Sequence, residues 1–413
     1  MTFDLLLRGG HLIDPANDID GPRDVAINGG KVAAVDAGIP SSSAARVIDV
    51  SGLFVMPGLV DIHTHLFATS GYRNAWAGDR SILPDGFSFR SGVTTMVDTG
   101  SAGWRTFEDF RYRVLDRFET RMYAFLNIVG MGMVSNDMEQ NHADMQVDCA
   151  VEMAREHDDV IVGMKTAHYT GREWISVDRM LEAGEAIGKP CMVDFGLFPR
   201  ERPYYQLVTQ RMRPGDITTH MFLGDVPWVG PDGKLLKYLY EARARGIIFD
   251  VGHGGGSFCW RNAIPAIEQG FYPDSISTDL HTSCMNDAMQ DMTNVMSKFL
   301  AIGLPLKEIV RESTVNPARE IGHPELGHLS VGAVADVTAL SVIDGDFGLL
   351  DVHGGRVQTD KRLRCELTLL EGRVKWDWNG RTGIDWRKLP ADYGVRDKED
   401  GLIMPPGFGG ASR

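Results

Sequence analysis

Between residues 55 and 332 the chain alternates short apolar β-like runs with longer helix-like stretches, and this rhythm leaves few folds open. It is the mark of repeated βα units around a parallel sheet. Eight such runs can be counted, ending near His65, Asp98, Asn127, Lys165, Asp194, His220, His253 and Asp279. At about 34 residues per unit they match a closed eight-stranded barrel, which takes about 250 residues. The rival is an open doubly wound sheet, which usually needs a glycine-rich phosphate loop after its first strand. None follows Ile62.

The two ends of the chain read differently. Residues 1–54 alternate apolar and polar positions, and the run from Asp24 to Val35 predicts a hairpin turning near Asn28-Gly29-Gly30. Cys365 to Trp376 repeats the pattern around Glu371-Gly372-Arg373, preceded by a strand-like run from Ala335 to Leu340. The sequence therefore predicts an α/β fold: a (β/α)8 TIM-type barrel over 55–332, with a small β-sandwich domain formed from both termini, 1–54 plus 333–390. A C-terminal tail, 391–413, is rich in Gly, Pro and charge.

Charge and composition limit the partners. Forty-two basic against 56 acidic residues give a net charge of −14 with no basic run, which argues against nucleic acid or an anionic membrane and for a small-molecule substrate. The opening MTFDLLLRGG lacks the basic start and the apolar length of an export signal, so a cytoplasmic protein is expected. Five cysteines, odd in number and without C-x-x-C spacing, indicate neither a disulfide framework nor a zinc knuckle.

Chemistry concentrates at the ends of the apolar runs. His63 and His65 are spaced i, i+2, which on a strand sends both imidazoles to one face, where two nitrogens can share a metal ion. Lys165, Asp194, His220, His253 and Asp279 close later runs. Each alone has a bland reading: a strand-end Lys as a solvated cap, a strand-end Asp as the cap of the next helix. Together they put seven functional groups on one rim, the end of a parallel barrel where active sites are built.

This pattern resembles the amidohydrolase superfamily of metal-dependent hydrolases, along nearly the whole chain. Pro57-Gly58-Leu59-Val60-Asp61-Ile62-His63-Thr64-His65 looks like its first-strand signature, and Thr314-Val315-Asn316-Pro317-Ala318 with Gly327 to Asp336 looks like its return from the barrel. Val97 to Gly103, Leu126-Asn127-Ile128 and Asp250 to Phe258 are most similar to a deacetylase and esterase branch often labelled dihydroorotase. The resemblance implies two divalent cations, usually zinc, with manganese an alternative. His63, His65 and Asp279 would hold the more buried ion, Lys165 as a carbamate would bridge both, and His220 with the strand-five residue would hold the other. Strand five normally supplies a histidine; here Asp194 stands there, a harder ligand that favours manganese or magnesium or else weakens the second site. His168, in Thr166-Ala167-His168-Tyr169, is a candidate substitute ligand or substrate contact.

The mechanism implied is attack by a hydroxide held between the cations, with Asp279 as general base and then general acid. His253 is expected to hydrogen-bond Asp279 or the substrate, and Ser101 and Gly254 to bind substrate. Dihydroorotases of this likeness place an arginine two residues after the second histidine. Here it is Phe67, and a phenylalanine cannot clamp a carboxylate; Phe67 and the run Leu66 to Tyr72 are instead expected to form an apolar and aromatic wall that binds substrate. Hydrolysis of an acyl ester or N-acyl amide is therefore expected. The alternatives are a cyclic-amide hydrolase of the dihydroorotase or hydantoinase kind, a deaminase, and a non-catalytic scaffold. Arg105, Arg200 and Arg202 are further carboxylate candidates on rim loops. The resemblance also implies a homo-oligomer, with Gly401 to Phe408 a candidate contact.

Overall fold

In the computed structural model, residues 2–194, 199–391 and 393–394 are described. Most of the expected tail, with Gly401 to Phe408, lies outside them. Seven strands form one parallel sheet in chain order: Leu59–Thr64, Val93–Gly103, Arg121–Asn127, Ile161–Thr166, Cys191–Val193, Ile217–Thr218 and Ile248–Phe249. The sheet curls until its edges meet the eighth run, which forms no regular strand. Asp250 bridges to Ser275 on one side and Thr64 to Leu280 on the other, both in parallel. The Asp61 carboxylate fastens this closure, accepting hydrogen bonds from the Thr278 hydroxyl (2.5 Å) and amide (3.1 Å).

Parallel strands covered on both faces are buried throughout, and here the first two strands are buried at every residue. One apolar cluster, containing Val60, Ile62, Val97, Phe125, Val162 and Met192, joins the strands to Ala318 on the helix Val315–Glu320. A larger one packs the outer faces of the strands against helices such as Ile175–Ile187 and Met292–Ala301.

The termini build two further sheets. Phe3–Arg8, Asp24–Asn28, Lys31–Asp36 and Ala44–Asp49 make a four-stranded one. Its expected hairpin is present, turning through Gly29 (φ 58°) and Gly30 (φ 74°), the paired left-handed residues that a tight hairpin turn requires. The six-stranded sheet unites His11–Asp14, Ile19–Pro22 and Phe54–Pro57 with Val337–Leu350, Arg356–Leu370 and Arg373–Asp377. Phe54–Pro57 pairs antiparallel with Val337 to Leu340, so the run that ends in the two histidines starts in a terminal sheet and enters the barrel only at Leu59. Leu5, Leu7, Val25 and Ile27 of one sheet share an apolar cluster with Leu12, Val55, Val337 and Leu367 of the other. Among the described residues no helix is long and apolar enough to cross a membrane.

Candidate metal centre and active site

The ends of the strands converge as the spacing requires. His63 and His65 sit at the close of the first strand, and their Nε2 atoms lie 3.6 Å and 3.1 Å from Asp279 Oδ1. Across the site His220 Nε2 lies 3.1 Å from Asp194 Oδ1. Lys165 Nζ stands between, 3.4 Å from His63 Nε2 and 3.7 Å from Asp194 Oδ2. His63, His65 and Asp279 form one group able to hold a cation, and His63, Asp194 and His220 a second. All are buried.

Each imidazole is aimed by a partner on its other nitrogen, the usual arrangement behind a metal-binding histidine. His63 Nδ1 lies 2.8 Å from the Thr219 hydroxyl, which donates to Asp250 (2.7 Å). His65 Nδ1 lies 3.0 Å from the Ser101 hydroxyl. His220 Nδ1 donates to the Gly252 carbonyl at 2.6 Å. His168, His220 and Asp279 all hold left-handed backbone (φ 49°, 60° and 51°), and such strain collects at functional sites. Gly252 and Gly254 permit the crowding: a Cβ on the first would come within 2.2 Å of Thr219 Oγ1, and on the second within 2.2 Å of Asp279 Oδ2.

Burial and charge set the protonation states. Burial pushes the His63 imidazole down to about 4 and depresses His65. Burial also lowers the Lys165 amine, against the pull of Asp194 and Asp279. Burial would raise the Asp194 carboxyl, but His220 and Lys165 beside it hold it well below the ordinary range. Asp279 is held down likewise, chiefly by His281 and His63. At the rim, burial disfavours a charged His168, yet Glu139 outweighs it and lifts the imidazole to about 9; its Nδ1 lies 3.2 Å from Glu139 Oε1.

Of these groups His65, His168, Asp194, His220 and Asp279 border a cavity of about 560 Å3. Trp76 and His281, which the sequence reading did not single out, complete it. The Trp76 ring lies 4.8 Å from that of His65, 4.4 Å from that of His281 and stacks on His168 at 5.8 Å. His281 follows Asp279 by two residues, the same spacing that drew attention to His63 and His65. Glu139 and Trp76 gave no such signal, since each comes from a segment between strands.

Several expected substrate contacts lie elsewhere. His253 does not meet Asp279: its Nδ1 is 2.9 Å from the Gly254 carbonyl, its Nε2 is 2.5 Å from Lys298 Nζ, and its ring stacks on Phe258. Both nitrogens are thus engaged away from the cavity. Phe67 is fully buried and packs against Phe110 with ring centroids 5.0 Å apart, so it belongs to the core and not to a substrate wall. Ser101 stands behind His65, and Gly254 backs Asp279. Of the rim arginines, Arg105 pairs with Asp144 (2.6 Å), and Arg202 is buried, donating to the carbonyls of Gly171 and Tyr169. Arg200 is exposed.

A curled parallel sheet with histidine, aspartate and lysine converging at the strand ends defines a hydrolase class, and the chain belongs to the amidohydrolase family. The amidohydrolase family model matches residues 260–359. A deacetylase of Agrobacterium fabrum (strain C58) is 35% identical over 353 residues, spanning 82% of this chain and 83% of the relative. Among solved structures, an adenine deaminase superposes with a TM-score of 0.81 at 26% identity, over 91% of this chain and 100% of that one. A dihydroorotase superposes with a TM-score of 0.79 at 29% identity, over 90% and 98%.

Proposed function

We propose that this amidohydrolase cleaves an acyl ester or N-acyl amide at a centre of two divalent cations, with zinc the first candidate and manganese the second. The observation that carries the reading is the placement of Lys165. Its buried Nζ lies between two donor groups that share His63, close enough to both that an ammonium there would oppose a neighbouring cation. Burial favours the neutral amine, the form that adds carbon dioxide; a carbamate forms as the nitrogen bonds carbon and releases a proton. That change turns an ill-placed amine into an anionic bridge, so the donor set fits the metals.

His63, His65 and Asp279 would hold one ion and His220 with Asp194 the other, both contacting the Lys165 carbamate. When bound, the cations acidify water and polarise a carbonyl. The side chains supply the rest. Thr219 and Ser101 lock the rings of His63 and His65. Asp279 takes the proton of the attacking water and delivers it to the leaving group. Trp76 packs on the rings of His65 and His281 at the wall of the cavity. His168 offers a hydrogen bond at the rim, its Nε2 3.9 Å from Asp194 Oδ2.

The deacetylase relative supports acyl cleavage, and Phe67 at the place of a carboxylate-gripping arginine counts against dihydroorotase chemistry. A deaminase is the second reading, favoured by the likeness to the solved adenine deaminase. A panel of acetyl esters, N-acyl amines and aminopurines, assayed in parallel for acid release and for ammonia, separates the two. Acid release without ammonia is expected; ammonia from aminopurines with no acyl cleavage would overturn the proposal.

A further inference from the structure

A second cavity, of about 410 Å3, adjoins the central one and shares two of its walls, Trp76 and His168. The two spaces differ in charge. The central cavity has Asp225 and Asp287 at its exposed edge and, among its described lining residues, no lysine or arginine. The annex is bordered by Arg80, whose guanidinium lies over the Trp76 ring, 5.5 Å from its centroid. Arg80 is exposed and forms no ion pair among the described residues, although Asp137 borders the same space. The annex also presents Asn136 and Gln140; the Gln140 amide is engaged, donating to the His168 carbonyl (3.0 Å) and accepting from the Thr170 amide (2.8 Å).

We infer that the annex is a binding subsite for a carboxylate carried by the substrate at a distance from the scissile bond, with Arg80 as its anchor and the Trp76 indole as the platform for a flat body between. This deepens the acyl-hydrolase reading and rests on it. Three observations lead there. An arginine set over an aromatic face, with no ion pair among the described residues, can form a charge-assisted bond with an incoming anion. The same indole lies 4.8 Å from the His65 ring and 5.5 Å from the Arg80 guanidinium and borders both cavities, so a ligand spanning the two past it reaches both the metal-binding groups and the guanidinium. Asp225 and Asp287 border the central cavity and not the annex, which disfavours a carboxylate there relative to one beside Arg80. An acylated aromatic acid, with its acyl group and carboxylate at opposite ends of the ring, has this shape. The missing arginine of the dihydroorotases is thereby replaced by one on a different segment, further from the metals.

The test uses the metal-loaded full chain and two sets of probes: 4-acetylbenzoate against 4-acetylbenzamide, ketones with no cleavable acyl bond, for binding by calorimetry, and 4-acetoxy- and 4-acetamidobenzoate against the corresponding benzamides for turnover. In wild type the acids are expected to be preferred about ten-fold or more. In Arg80→Met the acid is expected to lose about ten-fold more than the amide, in KM and not in kcat, with partial recovery in Arg80→Lys. A merely structural arginine would affect acid and amide alike. Equal affinity of wild type for acid and amide, binding of neither at millimolar concentration, or an equal fall for both in Arg80→Met would overturn the subsite. Arg80-dependent binding of the acid without ester or amide cleavage would instead overturn the acyl-hydrolase reading and leave the subsite standing.

Discussion

In the proposed reaction Asp279 carries the heaviest chemical load of any single residue. It touches His65 and His281, is held ionised, and is backed by a glycine that leaves no room for a Cβ. Asp279→Asn keeps the shape and removes the base, so kcat is expected to fall by about 10^2–10^4-fold, with most of the metal retained by elemental analysis. Turnover close to wild type would reject its proton-transfer role. Phe67 makes the opposite case. Phe67→Ala opens a hole beside Phe110 and is expected to cost about 3–5 kcal/mol of stability in denaturant unfolding, with KM little changed in the folded fraction. A raised KM at unchanged stability would return Phe67 to the substrate wall. Proximity in sequence to His65 misleads here because the chain turns after the strand, and a one-dimensional reading carries no side-chain direction. The i, i+2 rule, by contrast, does carry direction on a strand: it found His63 and His65, whereas Asp279 and His281 share the spacing but lie on a run that forms no regular strand.

Contacts between elements decide the behaviour of the rim. The short helix Asn136–Glu139 brings Glu139 under His168, which follows the strand Ile161–Thr166. The folded imidazole titrates at about 9 against an ordinary 6.5, so the unfolded chain sheds its proton first as pH rises. The stability that the pair supplies is therefore full below about 6.5 and is lost as pH climbs through about 9. The gap in unfolding free energy between wild type and His168→Asn is expected to shrink across that window; a gap constant from pH 6 to 10 would contradict the pairing. Contacts of this kind were not legible in the sequence, because the helix and the strand end lie almost thirty residues apart and the short helix carrying Glu139 has no signature of its own. Strand ends were legible. Even Ile217–Thr218 and Ile248–Phe249, two residues each, could be located as apolar runs closed by a polar group. The seventh was placed a few residues late. Its buried acid is Asp250, which binds the Thr219, Ser275 and Ser277 hydroxyls, while His253 has already turned toward Lys298.

Across the whole molecule, the proposed metals would tie the first, fourth, fifth, sixth and eighth runs of the barrel together at one end, while Asp61 and Thr278 close it lower down. The barrel could be read from the βα rhythm because burial on both faces forces near-continuous apolar strands. Pairing of the two ends of the chain was readable only as a likeness between two hairpins; the antiparallel register of Phe54–Pro57 against Val337 to Leu340 spans nearly three hundred residues, which no local pattern encodes. A ligand that binds only the folded state raises its stability. Chelation is therefore expected to lower Tm and readdition of zinc or manganese to restore it; an unchanged Tm in a chain shown to have lost its metal would argue against ions that cross-link the strand ends. The most direct measurement is the metal content per chain of protein purified without chelator, taken together with its rate of acetyl ester hydrolysis. Close to two equivalents, with the rate falling as they are removed, is the result expected of Lys165, Asp194 and His220 as ligands. No bound metal, and no turnover after zinc or manganese is supplied, would contradict the proposed metal-dependent acyl hydrolase.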